Sequence, residues 1–154
     1  MIDLDPVVER IKAITVPAGQ KRFLRVEDAL GYAAATKPGA ALGDGPNAYV
    51  LPLADQAKTV PDQSLPQMIH SEFQVQIFLR LFSNPTGHGI NKTLIDMEMR
   101  LQGALLGWSP GDGMGGVVFV RGGLSDFRNS EMWWGMTFRT NYGQAPSHFD
   151  RRCM

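Results

Sequence analysis

An α+β fold is predicted, a mainly antiparallel sheet of about five strands with two main helices packed on one face. Three observations predict it. Apolar and polar side chains alternate from Glu72 to Phe82, the period of a half-buried strand. Two segments, one opening at Asp5-Pro6 and one near Gly89 or Asn91, carry apolar residues at helical spacing instead. The final strand-like segments, Val117 to Val120 and Glu131 to Tyr142, follow one another with no helix between them, as an antiparallel pair does.

In chain order, Asp5 can accept hydrogen bonds from free N–H groups at a helix start, and Pro6 suits the first turn. Val7, Ile11 and Ile14 form the apolar side of this helix, which Pro17 and Gly19 end. Residues 22–27 read as a short strand with Leu24 and Val26 on one face. Asp28 is placed to cap a short helix through Ala35, and 37–46 is a Gly/Pro/Ala-rich loop. Ala48 to Leu53 is a second strand, in which Pro52 cannot donate to a ladder and so marks an edge or a bend. A long loop is expected over 55–68. After the long alternating strand, Leu94, Met97, Leu101, Ala104 and Leu105 make the stripe of the second main helix, which stops near Gly107. Residues 109–116 read as a glycine loop, and 122–130 as the joint between the last two strands.

The chain has 154 residues, room for one domain, expected over 1–142 with 143–154 as a flexible tail. Lysine plus arginine number 15 and aspartate plus glutamate 15. A nucleic-acid binder usually carries a basic excess, so that occupation is disfavoured, whereas low net charge gives little protection against self-association. Cys153 is the single cysteine, which excludes an internal disulfide. No basic region followed by an apolar stretch opens the chain, and no apolar run approaches the ~18 residues of a membrane span, so a soluble product of a cytoplasm is expected.

Motifs of bond-making chemistry are weak. Gly111-Asp112-Gly113-Met114-Gly115-Gly116 fits GxGxxG, but a dinucleotide site needs that motif after a strand and before a helix. Here it follows a helix and opens a strand, so a plain loop is the better reading. His70, His88 and His148 are far apart, and the nearest approach to a ligand set, His148/Asp150/Cys153, lies in the expected tail. No cofactor, metal site or catalytic residue is therefore expected.

The aromatic residues are more informative. Neighbours on a strand point to opposite faces, so Trp133 and Trp134 cannot share one. Trp134, Met136, Phe138 and Tyr142 make a core face, which leaves Trp133 with Thr137, Arg139 and Asn141. Phe78 and Phe82 likewise interrupt the polar face of the long strand. Tryptophan and arginine are enriched among residues that dominate interfaces, so an intermolecular surface is one reading. A helix or loop of the same chain covering that face is the other.

Several segments resemble the tail terminator family of long-tailed phages and phage-like elements. Ile2-Asp3-Leu4-Asp5-Pro6-Val7-Val8-Glu9-Arg10-Ile11-Lys12 and Phe23-Leu24-Arg25-Val26-Glu27 resemble its first helix and strand. Ala48-Tyr49-Val50-Leu51-Pro52-Leu53-Ala54-Asp55 resembles its second strand, and Leu105-Leu106-Gly107-Trp108-Ser109-Pro110 the close of its second helix. Asp126-Phe127, then Met132-Trp133-Trp134 and Phe138, resembles its final hairpin. Residues 111–116 and 143–154 depart from the pattern.

The resemblance implies a virion structural protein and not an enzyme. It would form a ring, commonly hexameric, that caps the finished tail tube, stops its polymerisation and joins the tail to the head–neck connector. The partners implied are the chain itself, the tail tube protein and a connector or neck protein. No membrane and no specific nucleic-acid recognition is implied, with DNA passing through the ring. The place implied is the head-proximal end of the virion tail, after assembly in the host cytoplasm. On this reading Trp133, Phe78, Phe82 and Arg139 are the candidate subunit or tube contacts. Rival readings are another head–tail connector or tail completion protein, or an unrelated small ligand-binding or enzymatic α+β domain.

Overall fold

The computed structural model of the protein describes residues 1–17, 22–43, 45–57, 67–80 and 88–144. The elements in order are α1 (Asp5–Lys12), β1 (Arg25–Glu27), α2 (Ala29–Ala35), β2 (Asn47–Ala57), β3 (Gln67–Arg80), α3 (His88–Leu105), β4 (Val118–Arg128) and β5 (Glu131–Gln144). The five strands form one sheet in the order β1-β2-β3-β5-β4. β1 runs parallel to β2, and every other pairing is antiparallel. The predicted fold class is the one observed.

Period-two patterning sets the register. Phe73 lies opposite Phe138, Val75 opposite Met136, Ile77 opposite Trp134 and Leu79 opposite Met132. A one-residue slip would turn all of these apolar side chains to the other face. On the face they share, Leu94, Met97, Leu101 and Leu105 of α3 and Val7, Val8 and Ile11 of α1 close the main core. Each such side chain contributes roughly 1.5–3 kcal/mol by leaving water. The rings of Phe73 and Phe138 stack at 5.6 Å. α1 is tied to α3 by Arg10, whose Nε donates to the Ala104 carbonyl at 2.9 Å while its guanidinium lies 5.3 Å from the Trp108 ring centre. α3 ends at Leu105, and the chain turns away at Gly107, whose φ of +77° an L side chain would resist.

Pro52 produces both effects expected of it. β1 pairs only with Asn47 to Tyr49, so Pro52 sits where β2 is an edge, and the register with β3 shifts between Pro52 and Ala54.

Other expectations are corrected. Asp5 is the first residue of α1 and not its cap; the N-cap is Leu4, and Asp3 Oδ1 accepts from the Asp5 N–H at 3.0 Å. A carboxylate inside the first turn still faces the positive end of the helix. Leu24 precedes β1 and is exposed, while Val26 packs against the main core. The loop expected over 55–68 is shorter, because β2 runs to Ala57 and β3 starts at Gln67; residues 58–66 lie outside the described residues. The joint expected over 122–130 is mostly strand: β4 reaches Arg128 and turns through Asn129 and Ser130, with φ of 50° and 62°. Two consecutive positive φ values give the tight turn whose twist matches a hairpin. Gly143 and Gln144 continue β5, and the rest of the expected tail lies outside the described residues. The short α2 packs on the sheet face opposite α1 and α3.

Candidate assembly surface

The face opposite the main core is built in two halves. At one end, β2, β3 and β5 present Tyr49, Phe78 and Trp133, and the register places Phe78 directly opposite Trp133. Their ring centres lie 5.0 Å apart, with Tyr49 at 5.6 Å from Trp133. α2 closes over them: Tyr32 meets Trp133 edge-on at 5.5 Å, and Ala35 and Leu42 complete a second, smaller core. α2 is held there by its N-cap, where Asp28 Oδ1 accepts from the Gly31 N–H at 3.1 Å.

The segment that returns from α2 is equally constrained. Gly45 has φ of +73°, and a Cβ there would stand 2.5 Å from the Phe78 carbonyl oxygen, so only glycine allows this close crossing. Asn47 Nδ2 donates to the Leu42 carbonyl at 3.0 Å and to the Tyr49 hydroxyl at 3.3 Å. Burial pushes the Tyr49 phenol above its ordinary pKa, against the lowering effect of that Asn47 contact.

Phe78 is fully buried and Trp133 is 9% exposed. Of the two readings of this face, cover by a helix of the same chain is the one observed at these two residues. Phe82 lies outside the described residues. Arg139 stands apart from the other two, beyond the α2 patch. It is half-buried, sits opposite Glu72 on β3 and Val118 on β4, and makes no ion pair among the described residues.

The second half of this face is polar. Gln76 Nε2 donates to Gln74 Oε1 at 2.8 Å and to Ser125 Oγ at 3.0 Å. These side chains lie across Gly135, where an added Cβ would come within 2.8 Å of Gln76 Nε2. Thr137 continues the strip, and Arg121 of β4 lies opposite it, exposed.

The glycine loop follows α3 and opens β4, as read from the sequence. Gly115 N–H donates to the Asn141 carbonyl at 2.8 Å, Thr140 Oγ1 to the Gly115 carbonyl at 2.7 Å and Ser109 Oγ to the Met114 carbonyl at 2.9 Å. With no helix N-terminus behind it, the loop has no built cradle for a phosphate. Among the described residues no three His, Cys, Asp or Glu side chains gather as metal ligands, and no helix is long and apolar enough to cross a membrane. His148, Asp150 and Cys153 lie outside the described residues.

Exposed apolar residues mark the outer edge of the sheet. β4 is its last strand and carries Phe119, Leu124 and Phe127, which are 38%, 58% and 55% exposed. These three share the face of the main core by register, yet α3 does not cover them. Sequence reasoning missed this edge because it gave Gly122 and Gly123 to a connecting loop; that Leu124 and Phe127, three positions apart, share a face follows only from the register shift between Leu124 and Asp126.

A family model described as phage tail terminator protein matches residues 1–146, which span every strand and helix above. The chain belongs to the phage tail terminator family. This terminator fold is shared with a chain of the solved structure titled "Virion of native gene transfer agent (GTA) particle", at 17% identity and a TM-score of 0.54. The alignment covers 89% of this chain and 91% of that one. No curated protein matches the sequence. Membership makes the chain a structural protein of a phage tail that associates with other tail components.

Proposed function

We propose that copies of this chain close into a hexameric ring at the head-proximal end of the tail, where the ring stops growth of the tube and joins the tail to the head–neck connector. The observation that carries the reading is the family match, because it spans the whole sheet-and-helix unit and not one segment. Two features of the fold support it. The sheet has two unlike free edges, β1 and β4, and β4 exposes apolar side chains. Head-to-tail contacts between unlike surfaces close a ring when the rotation per subunit divides a full turn.

A ring of this kind has two different faces. One copies a contact of the tube protein, and the other cannot be extended by another layer of tube, so polymerisation ends with no bond made or broken. DNA passes through the opening without being read. Arg139 and Phe82 reach a neighbouring chain directly, while Phe78 and Trp133 act by holding α2 in place.

Virions made without the protein test this. Overlong or unjoined tails beside filled heads are expected by electron microscopy. Tails of normal length that merely fail to join heads would identify a connector, and intact infectious particles would sink both readings.

A further inference from the structure

We infer that the two free edges of the sheet are halves of one contact: the β4 edge of one copy seats in an acidic groove between α1, β1 and α2 of the next copy. This rests on the ring reading above and names the surfaces that would close the ring.

The groove has a volume of about 800 Å³, with Val26 and Glu27 of β1 among its lining residues. β1 is the first strand of the sheet, so its outer main-chain groups have no strand partner among the described residues. β4, at the other end, likewise has no outer strand partner among the described residues. Exposed strand edges are templates for pairing with another chain unless they are charged, bulged or covered. β4 runs for 11 residues and is bulged twice, but Val118, Phe119, Leu124 and Phe127 on it are large, apolar and exposed.

Charge selects the same pairing. The groove carries Asp5, Glu9, Glu27 and Asp28 against the single ammonium of Lys12. Lys12 is already 3.6 Å from Glu9. On β4, Arg121 is exposed and has no ion pair among the described residues. The two faces also match. Glu27 pairs in register with Tyr49, whose side chain belongs to the second core, so Glu27 lies on the α2 face. Arg121 lies opposite Thr137, two residues from Arg139, and shares that face by register. A sheet continued from β4 into β1 of the next copy keeps each face on its own side. Arg121 and Arg139 then come toward Glu27, and Leu124 and Phe127 come toward α1. Lining a groove with one sign of charge and an edge with the other steers association and rejects wrong registers. The two surfaces differ, so the contact is heterologous and able to close a ring.

Charge swaps decide the matter, read by light scattering and by electron microscopy of the protein alone and with purified tails that lack it. R121E and E27K should each lose the ring while keeping the thermal transition of the parent. An equimolar mixture should regain it as an alternating ring, because the altered edge of R121E fits the altered groove of E27K and the unaltered edge of E27K fits the unaltered groove of R121E. R121E/E27K in one chain should also regain it. Rings that form normally from either single variant would place the contact elsewhere and overturn the inference, with the ring reading intact. Lost rings that neither the mixture nor the double variant restores would overturn it as well. Normal rings that no longer cap tubes would assign the groove to the tube protein in place of a second copy. A parent protein that never forms a ring, alone or on tails, would bring down the proposed function itself.

Discussion

Trp133 shows how one side chain can look like an interface residue and still be structural. Alternation along β5 put it on the polar face, but Tyr32, Tyr49 and Phe78 all lie within 6.0 Å of it, ring centre to ring centre. Trp133→Ala should therefore destabilise the isolated chain by about 3–5 kcal/mol, the range for removing a buried large aromatic. Thermal or denaturant unfolding of the monomer checks this, and a change under 1 kcal/mol would return Trp133 to the surface. Asp55 gives a second residue-level prediction. The hydrogen bond from the Met1 ammonium, 2.6 Å away, holds its carboxyl below the ordinary aspartate value; burial opposes this, and the Ser71 hydroxyl at 2.8 Å adds to the lowering. A depressed folded pKa means that the unfolded chain takes up the proton first on acidification, so stability rises with pH across that window. The contribution is complete above the ordinary aspartate pKa and disappears as pH falls through the folded value. Asp55→Asn should melt earlier than the parent at neutral pH, with the difference shrinking in acid. A gap in melting temperature that does not change with pH would refute this.

At the scale of elements, what the sequence made legible follows from what each pattern measures. Period two over Phe73, Val75, Ile77 and Leu79 reports burial on one face, and all four are buried in the main core. The α3 stripe was equally plain, since Leu94, Met97, Leu101 and Leu105 all pack under the helix. Asp28 was readable as a cap because its carboxylate has a local partner, the Gly31 N–H. Asp28→Ala should cost about 0.5–2 kcal/mol by leaving that donor unpaired. Because α2 covers Trp133, the same substitution should raise tryptophan solvent exposure, and fluorescence quenching would detect it. A normal quenching profile would mean that the second core holds α2 without its cap. The rest of the candidate surface was illegible for a physical reason. Gly122 and Gly123 disfavour a strand locally, and pairing with Met136 and Gly135 overrides that preference. Covering of Phe78 and Trp133 depends on Gly45 crossing the Phe78 carbonyl, a contact between residues 33 positions apart in the sequence that no local pattern records.

For the whole molecule, the governing property is a sheet that its own helices cover incompletely. α1 and α3 close one face over β2, β3 and β5, and α2 closes one end of the other, which leaves Phe119, Leu124 and Phe127 on β4 in water. Burying those three in a partner would contribute at roughly 25 cal/mol per Å² of apolar area removed from solvent, less the cost of ordering two chains. Exposed apolar strand edges also carry an aggregation hazard, so a protein that keeps one gains by having a defined partner for it. Leu124→Lys together with Phe127→Lys separates assembly from folding. Both side chains are more than half exposed, so the double variant should melt within about 1 kcal/mol of the parent, as surface changes away from special contacts usually do. It should nevertheless remain monomeric and leave tails uncapped under conditions where the parent assembles. A double variant that unfolds would show that these residues are held by the single chain after all. One that assembles normally would show that the β4 edge faces solvent in the finished tail, and that subunits meet through another surface.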